Sequence, residues 1–179
     1  MVAATASYRV VPRLAPHAYL TAEVANGTPW PLLTGQLRAH LGGDFVGTAT
    51  LPDDVAPAAT FSVSFGADRQ IKVLRTVLAK TSGERGFLVN KRRRAEYSYK
   101  IALQNQKDVP VRLEVVEPVP VSRREDVVIS LSGAAKTHVR EGEPGAVTWA
   151  ITLPPGGRKE IVWGYAVEWP QDLRIAGLD

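Results

Sequence analysis

The stretch Ile161-Val162-Trp163-Gly164-Tyr165-Ala166-Val167-Glu168-Trp169 decides the fold class. Large apolar side chains stand at every second position, and Gly164, Ala166 and Glu168 fall between them. A period of two is the signature of a strand with one face buried and the other turned away from the core. The same beat recurs outward from this run. Val147, Trp149, Ile151 and Leu153 alternate with Thr148 and Thr152, and Val111, Leu113 and Val115 with Arg112 and Glu114. Tyr97, Tyr99, Ile101 and Leu103 face away from Ser98, Lys100 and Gln104. Phe61, Val63 and Phe65 alternate with serines, and Ala18, Leu20, Ala22 and Val24 with Tyr19, Thr21 and Glu23. About ten candidate strands follow from this pattern.

Between them lie turn signals: Asn26-Gly27, Gly42-Gly43-Asp44, Pro52-Asp53-Asp54, Gly66-Ala67-Asp68, Lys107-Asp108-Val109-Pro110 and Pro154-Pro155-Gly156-Gly157. No segment carries a sustained helical period, and 13 prolines with 15 glycines spread along the chain would interrupt long helices. Short antiparallel strands joined by such turns close into a sandwich or barrel. The chain therefore reads as all-β, an enlarged immunoglobulin-like antiparallel β-sandwich with long hairpins. Its 179 residues, 45% of them hydrophobic, supply one core rather than two. A plain immunoglobulin domain takes about 100 residues, so residues 1–179 are expected to form a single domain with added hairpins.

Cysteine is absent, which excludes disulfides, thiolate zinc sites and a cysteine nucleophile. No apolar run approaches the roughly 18 to 20 residues of a transmembrane helix, and the opening Met1-Val2-Ala3-Ala4-Thr5-Ala6 lacks the basic start and apolar length of a secretory signal. His17, His40 and His138 stand too far apart in sequence for a metal-ligand pair, and no nucleophile elbow, HExxH motif or phosphate-binding glycine loop occurs. Asp53-Asp54, Glu125-Asp126 and the pair Glu141 and Glu143 lie in polar, turn-like surroundings, where a carboxyl lacks the burial that would raise its pKa for general acid work. No catalytic residue, metal or cofactor is assigned. Asn26-Gly27-Thr28 matches a glycosylation sequon, with a plain turn as the favoured reading.

Charge is more informative. The net charge is +4, and residues 80–96 account for all of it: Lys80, Arg85, Lys91, Arg92, Arg93 and Arg94 against Glu84 and Glu96. This segment reads as a long basic hairpin loop, either a solvated guard of a sheet edge or a contact for an acidic partner. One cluster of this kind, without interleaved aromatics, falls short of the basic stripe that follows a nucleic-acid backbone. Trp149, Trp163 and Tyr165 fall on the inward face as core, whereas Trp30 and Trp169, each beside a proline, are expected to be partly exposed and available to a ligand.

Several phrases together resemble the C-terminal domain, of unknown function, of the mucoidy inhibitor A-like family. They are Tyr8-Arg9-Val10-Val11-Pro12-Arg13-Leu14 with Pro16-His17-Ala18-Tyr19-Leu20, Gly43-Asp44-Phe45-Val46-Gly47, Phe61-Ser62-Val63-Ser64-Phe65-Gly66-Ala67-Asp68, Pro118-Val119-Pro120-Val121-Ser122, and Leu153-Pro154-Pro155-Gly156 leading to Gly164-Tyr165. The resemblance implies the C-terminal domain of a longer multidomain protein that also has an N-terminal domain and a coiled coil. It implies a link to restraint of exopolysaccharide overproduction in bacteria, and so favours the cell envelope or periplasm over the cytoplasm. It carries over no catalytic residue.

The expected function is accordingly a non-enzymatic interaction or structural module, whose partners are the N-terminal and coiled-coil parts of its own parent or another protein. A homo-oligomer is compatible with this. The arm from Ile71 to Leu78 could add to a partner's sheet. An acidic polysaccharide is the alternative partner. Contacts are expected from Lys91, Arg92, Arg93, Arg94 and Arg85, with Trp30 and Trp169 as exposed aromatics.

Overall fold

Alternating apolar residues can be buried together only if the strands that carry them line up and face a second layer. The chain, seen in a computed structural model describing residues 4–41, 44–85, 92–137 and 145–175, solves this with eleven strands in two facing sheets and one added hairpin. The strands are β1 (Ala4–Val10), β2 (Ala18–Ala25), β3 (Gly35–Leu41), β4 (Asp44–Leu51), β5 (Thr60–Asp68), β6 (Ile71–Arg85), β7 (Arg92–Asn105), β8 (Val111–Pro118), β9 (Val128–Gly133), β10 (Ala146–Leu153) and β11 (Arg158–Pro170). A single 3-10 turn, Ala134–Thr137, follows β9, and no α-helix occurs among the described residues.

The first sheet has the order β10-β8-β1-β2-β5 and the second β6-β7-β11-β9. All pairings are antiparallel except β1 with β8. The chain is therefore a β-sandwich. Its enlargement comes from the β3–β4 hairpin, which packs Leu37 and Ala49 over a satellite cluster of Ala22, Val24 and Val63, and from the long β6–β7 hairpin. The principal core spans both sheets, with Val10, Leu113, Val115, Val147 and Trp149 on one side and Ile101, Leu103, Ile161, Trp163 and Val167 on the other.

An aromatic column runs through that core. Tyr97 stacks on Tyr165 with ring centroids 4.9 Å apart, Tyr99 lies 5.1 Å from Trp163, and Trp149 reaches across from β10 to meet Trp163 at 5.9 Å. The inward placement of Trp149, Trp163 and Tyr165 follows the alternation. Trp169 departs from expectation. It continues the same inward parity past Val167 and is 8% exposed, so the neighbouring proline does not lift it out of the core.

The other revision concerns the basic segment. Residues 80–85 belong to β6 and 92–96 to β7, paired from Lys80 with Tyr97 to Arg85 with Arg92. Strand pairing continues through the charge run because β11 supports β7 on its far side, up to Pro170 opposite Arg92. Residues 86–91, including Lys91, lie outside the described residues, as does His138.

Buried amides and one ionic cluster tie the loops to the sheets. Asn26 is buried, and its Nδ2 donates to the carbonyls of Trp30, Val55 and Ala56, which consumes the group a glycan would need. Asn105 does the same for Val109, Leu153 and Pro154. Asp68 accepts from the Tyr8 hydroxyl at 2.8 Å, from Lys107 Nζ at 2.7 Å and from the Gln70 amide at 2.9 Å. Burial alone would raise the Asp68 pKa, but the Lys107 ammonium, the Gln70 amide and the Tyr8 hydroxyl together hold it below 3.8.

Three outcomes are expected. Trp163→Ala should cost about 3–5 kcal/mol in denaturant unfolding. Trp149→Phe should cost roughly 1 kcal/mol more than Trp163→Phe, because Trp149 Nε1 donates to the Ala134 carbonyl whereas Trp163 Nε1 is buried with no partner among the described residues. Equal costs would contradict that ordering. Because Asp68 has a lowered folded pKa, its contribution is present above pH 3.8 and lost as pH falls through the folded value. Asp68→Asn should therefore lose stability at neutral pH and flatten the acid limb of the curve; an unchanged limb would contradict the assignment.

Candidate functional site

The outer face of the β6-β7-β11-β9 sheet follows from the same alternation read the other way. On β11 the outward positions are Gly164, Ala166 and Glu168, and their neighbours in register are Ser98, Glu96 and Arg94 on β7 and Ser132, Ser130 and Val128 on β9. Gly164 is required there, because a Cβ would run into the Tyr97 carbonyl oxygen and Ser132 Oγ. Small residues down the central strand leave a cleft of about 320 Å³ whose walls carry Thr81, Ser98, Ser130 and Ser132 and whose charged side holds Arg94 and Glu96. Such a lining offers hydroxyl donors and acceptors, and its cation is already matched by carboxylates.

The arginines of the basic segment are used unequally. Arg94 bridges Glu96 on its own strand and Glu168 on β11. Arg92 turns to main chain, donating to the carbonyls of Asp126 at 2.8 Å and Glu168 at 3.3 Å, which fastens the loop before β9 to the central pair. Arg93 is exposed. Arg85 stands opposite Arg92 in register. Trp30 sits apart from this group, on the loop after β2 that the Leu32–Val55 bridge braces, and is 73% exposed. The structure thus gathers Arg92, Arg93 and Arg94 beside β11, buries Trp169 against the core, and leaves Trp30 on a separate loop.

Sequence reading placed a partner contact on β6 without identifying what shapes it. At the first four pairings the strand alternates as expected, but a bulge between Val77 and Ala79 inserts Leu78 as an extra residue. Leu74, Val77 and Leu78 are 61%, 56% and 49% exposed. Among the described residues β7 is the sole strand hydrogen-bonded to β6, so the other side of β6 is a free edge. Just inside that edge Arg75 lies 3.9 Å over the Tyr99 ring, and its Nε donates to both oxygens of Glu117 at 3.0 and 3.2 Å. Glu117 comes from β8 and is fully buried, so this pair joins edge strand β6 to the opposite sheet. Burial pushes the Glu117 carboxyl above 4.5, with Arg75 and then Arg13 opposing.

His17 packs edge-on to Tyr19 and His40 to Phe45, and among the described residues no three metal-ligating side chains come together. No helix among the described residues is long and apolar enough to cross a membrane.

Arg92→Ala should destabilise by about 1–2 kcal/mol, since it removes charged donors from two carbonyls, whereas Arg93→Ala should stay within about 0.5 kcal/mol. Equal effects in thermal unfolding would contradict this division. The raised Glu117 pKa means that the folded state retains its proton above pH 4.5 and loses stability as pH rises through the folded value. Glu117→Gln should therefore show a flatter decline of stability above pH 4.5 than wild type, and a parallel decline would rule out this carboxyl as its source.

Comparison with known proteins places these features in a setting. The chain is 27% identical over 169 residues to Protein F37C4.5 of Caenorhabditis elegans, an alignment covering 88% of this chain and 30% of that protein. The chain thus spans under a third of the length of this curated relative. No solved structure matches it. A family model described as a domain of unknown function, DUF4139, matches residues 3–171, nearly the whole sandwich from β1 to the end of β11, and the chain belongs to that family.

Proposed function

We propose that this domain is a non-enzymatic interaction module, which holds a protein partner along the free edge of its β6-β7-β11-β9 sheet. The observation that carries this reading is the exposure of Leu74, Val77 and Leu78 on a 15-residue edge strand whose side away from β7 has no strand partner among the described residues. Edge strands are ordinarily short or blunted, and exposed apolar side chains beside unpaired backbone groups are the elements of strand addition. Arg75 and Glu117 support the same use, because they anchor this edge to the other sheet and so keep it straight when a partner arrives.

The setting proposed is a longer protein of the mucoidy inhibitor A-like group, acting at a bacterial envelope and connected to exopolysaccharide output. The curated relative is much longer than this chain, which supports a partner elsewhere in the same polypeptide. Its nematode source supports a role for the domain that does not depend on a bacterial polysaccharide. Acidic polysaccharide binding is the weaker reading. Of its expected contacts, Arg92 and Arg94 are spent on Asp126, Glu168 and Glu96, and Trp169 is core.

The test is cross-linking of the intact protein in its own cells, wild type beside Leu74→Lys/Leu78→Lys, with retention on alginate measured in parallel. A defined polypeptide recovered through β6 and reduced about tenfold in the variant, at an unchanged melting temperature, is the expected result. Equal recovery by both proteins would overturn the reading, and alginate retention lost with Arg93→Ala would favour the polysaccharide alternative.

A further inference from the structure

We propose that the partner held by β6 is a second copy of this chain, the two β6 strands pairing antiparallel about a two-fold axis at Thr76. This names the partner for the interaction reading above and rests on it. Self-complementarity of the edge carries the inference. A two-fold axis sets the strand against itself, and directly opposed side chains must share a face of the joined sheet. Pairing with β7 assigns those faces. Leu74, Thr76, Ala79 and Thr81 share one, since their partners Ala102, Lys100, Ser98 and Glu96 alternate along β7. Val73, Arg75, Val77 and Lys80 share the other, opposite Leu103, Ile101, Tyr99 and Tyr97.

With the axis at Thr76, Lys72 falls opposite Thr81 of the second copy, Val73 opposite Lys80, Leu74 opposite Ala79 and Arg75 opposite Val77. No two cations are opposed in this register, and threonine meets threonine at its centre. One step either way loses that match. An axis at Val77 sets Arg75 against Lys80, and an axis at Arg75 sets that guanidinium against its own counterpart; like charges directly opposite are destabilising. The bulge gives Leu78 its place. As the extra residue between Val77 and Ala79, it falls against the step from Leu74 to Arg75 of the second copy, so the two exposed leucines cover one another twice. Edge bulges commonly turn a strand away from pairing, but this one delivers a leucine to the rim where a guard would carry a charge. Pairing from Ile71 to Ser82 offers about ten backbone hydrogen bonds, as many as a typical interface carries. It joins two four-stranded sheets edge to edge.

The chain contains no cysteine, so a single introduced thiol has only its own copy to oxidise with. Directly opposed residues of an antiparallel pair have Cα atoms about 4.5–5.5 Å apart, within reach of a disulfide. Thr76→Cys should therefore oxidise to a covalent dimer about tenfold faster than Val77→Cys or Ala79→Cys. Lys72→Cys/Thr81→Cys should give the same product. By sedimentation the wild type should be a dimer, and Leu74→Lys/Leu78→Lys a monomer with an unchanged melting temperature. A wild type of monomeric mass at all concentrations, or equal oxidation at positions 76, 77 and 79, would overturn the inference. If the chain is monomeric while Leu74→Lys/Leu78→Lys still loses its cross-linked partner in cells, this inference alone fails; a partner retained by that variant would sink both.

Discussion

The contact between Trp149 and Trp163 is where the two sheets become one body. Trp163 lies on the central strand β11 and is flanked by Tyr99 and Tyr165, so a single ring from β10 engages the whole aromatic column. Packing of this density fixes the separation of the sheets and the rotamers within them. It also fixes which face of β11 looks outward, since a one-residue slip would exchange Trp163 for Gly164. The outer cleft, with Gly164 and Ala166 along its central strand, is thus the reverse side of the core.

Polar groups complete the arrangement at four places that apolar packing cannot specify. Asn26 and Asn105 hold loops through backbone carbonyls, Asp68 collects Tyr8 and Lys107, and Glu117 receives Arg75 from the opposite sheet. Burying a carboxylate is costly unless it is paired, and a pair of this kind contributes to specificity of arrangement as much as to stability. The Arg75–Glu117 pair stiffens a 15-residue strand whose other edge has no strand partner among the described residues. Rigid presentation lowers the ordering cost of strand addition.

Alternation made most strands legible, because burial on one face imposes a period that residue type alone reports. The runs at Ala18, Phe61, Tyr97, Val111, Val147 and Ile161 each became a strand. The pairing of β3 with β4 and of β9 with β11 joins segments in a way that no local run of residues reports. The basic segment is legible in the sequence as charge, but its described residues form strand and not loop. Its arginines satisfy carbonyls and carboxylates on β11 and the preceding loop, partners more than 30 positions away in the chain. The proline beside Trp169 suggests a strand end, yet pairing with β7 runs to Pro170 itself and keeps Trp169 in the core.

Local chemistry in the sequence alone determined the fold class, the inward set of residues and the absence of cysteine chemistry, since period and composition need no partner to be read. Tertiary structure decided which cations remain available, which edge is open and where the bulge falls. Those depend on which strand lies beside which, and sheet order arises from contacts between residues distant in the chain.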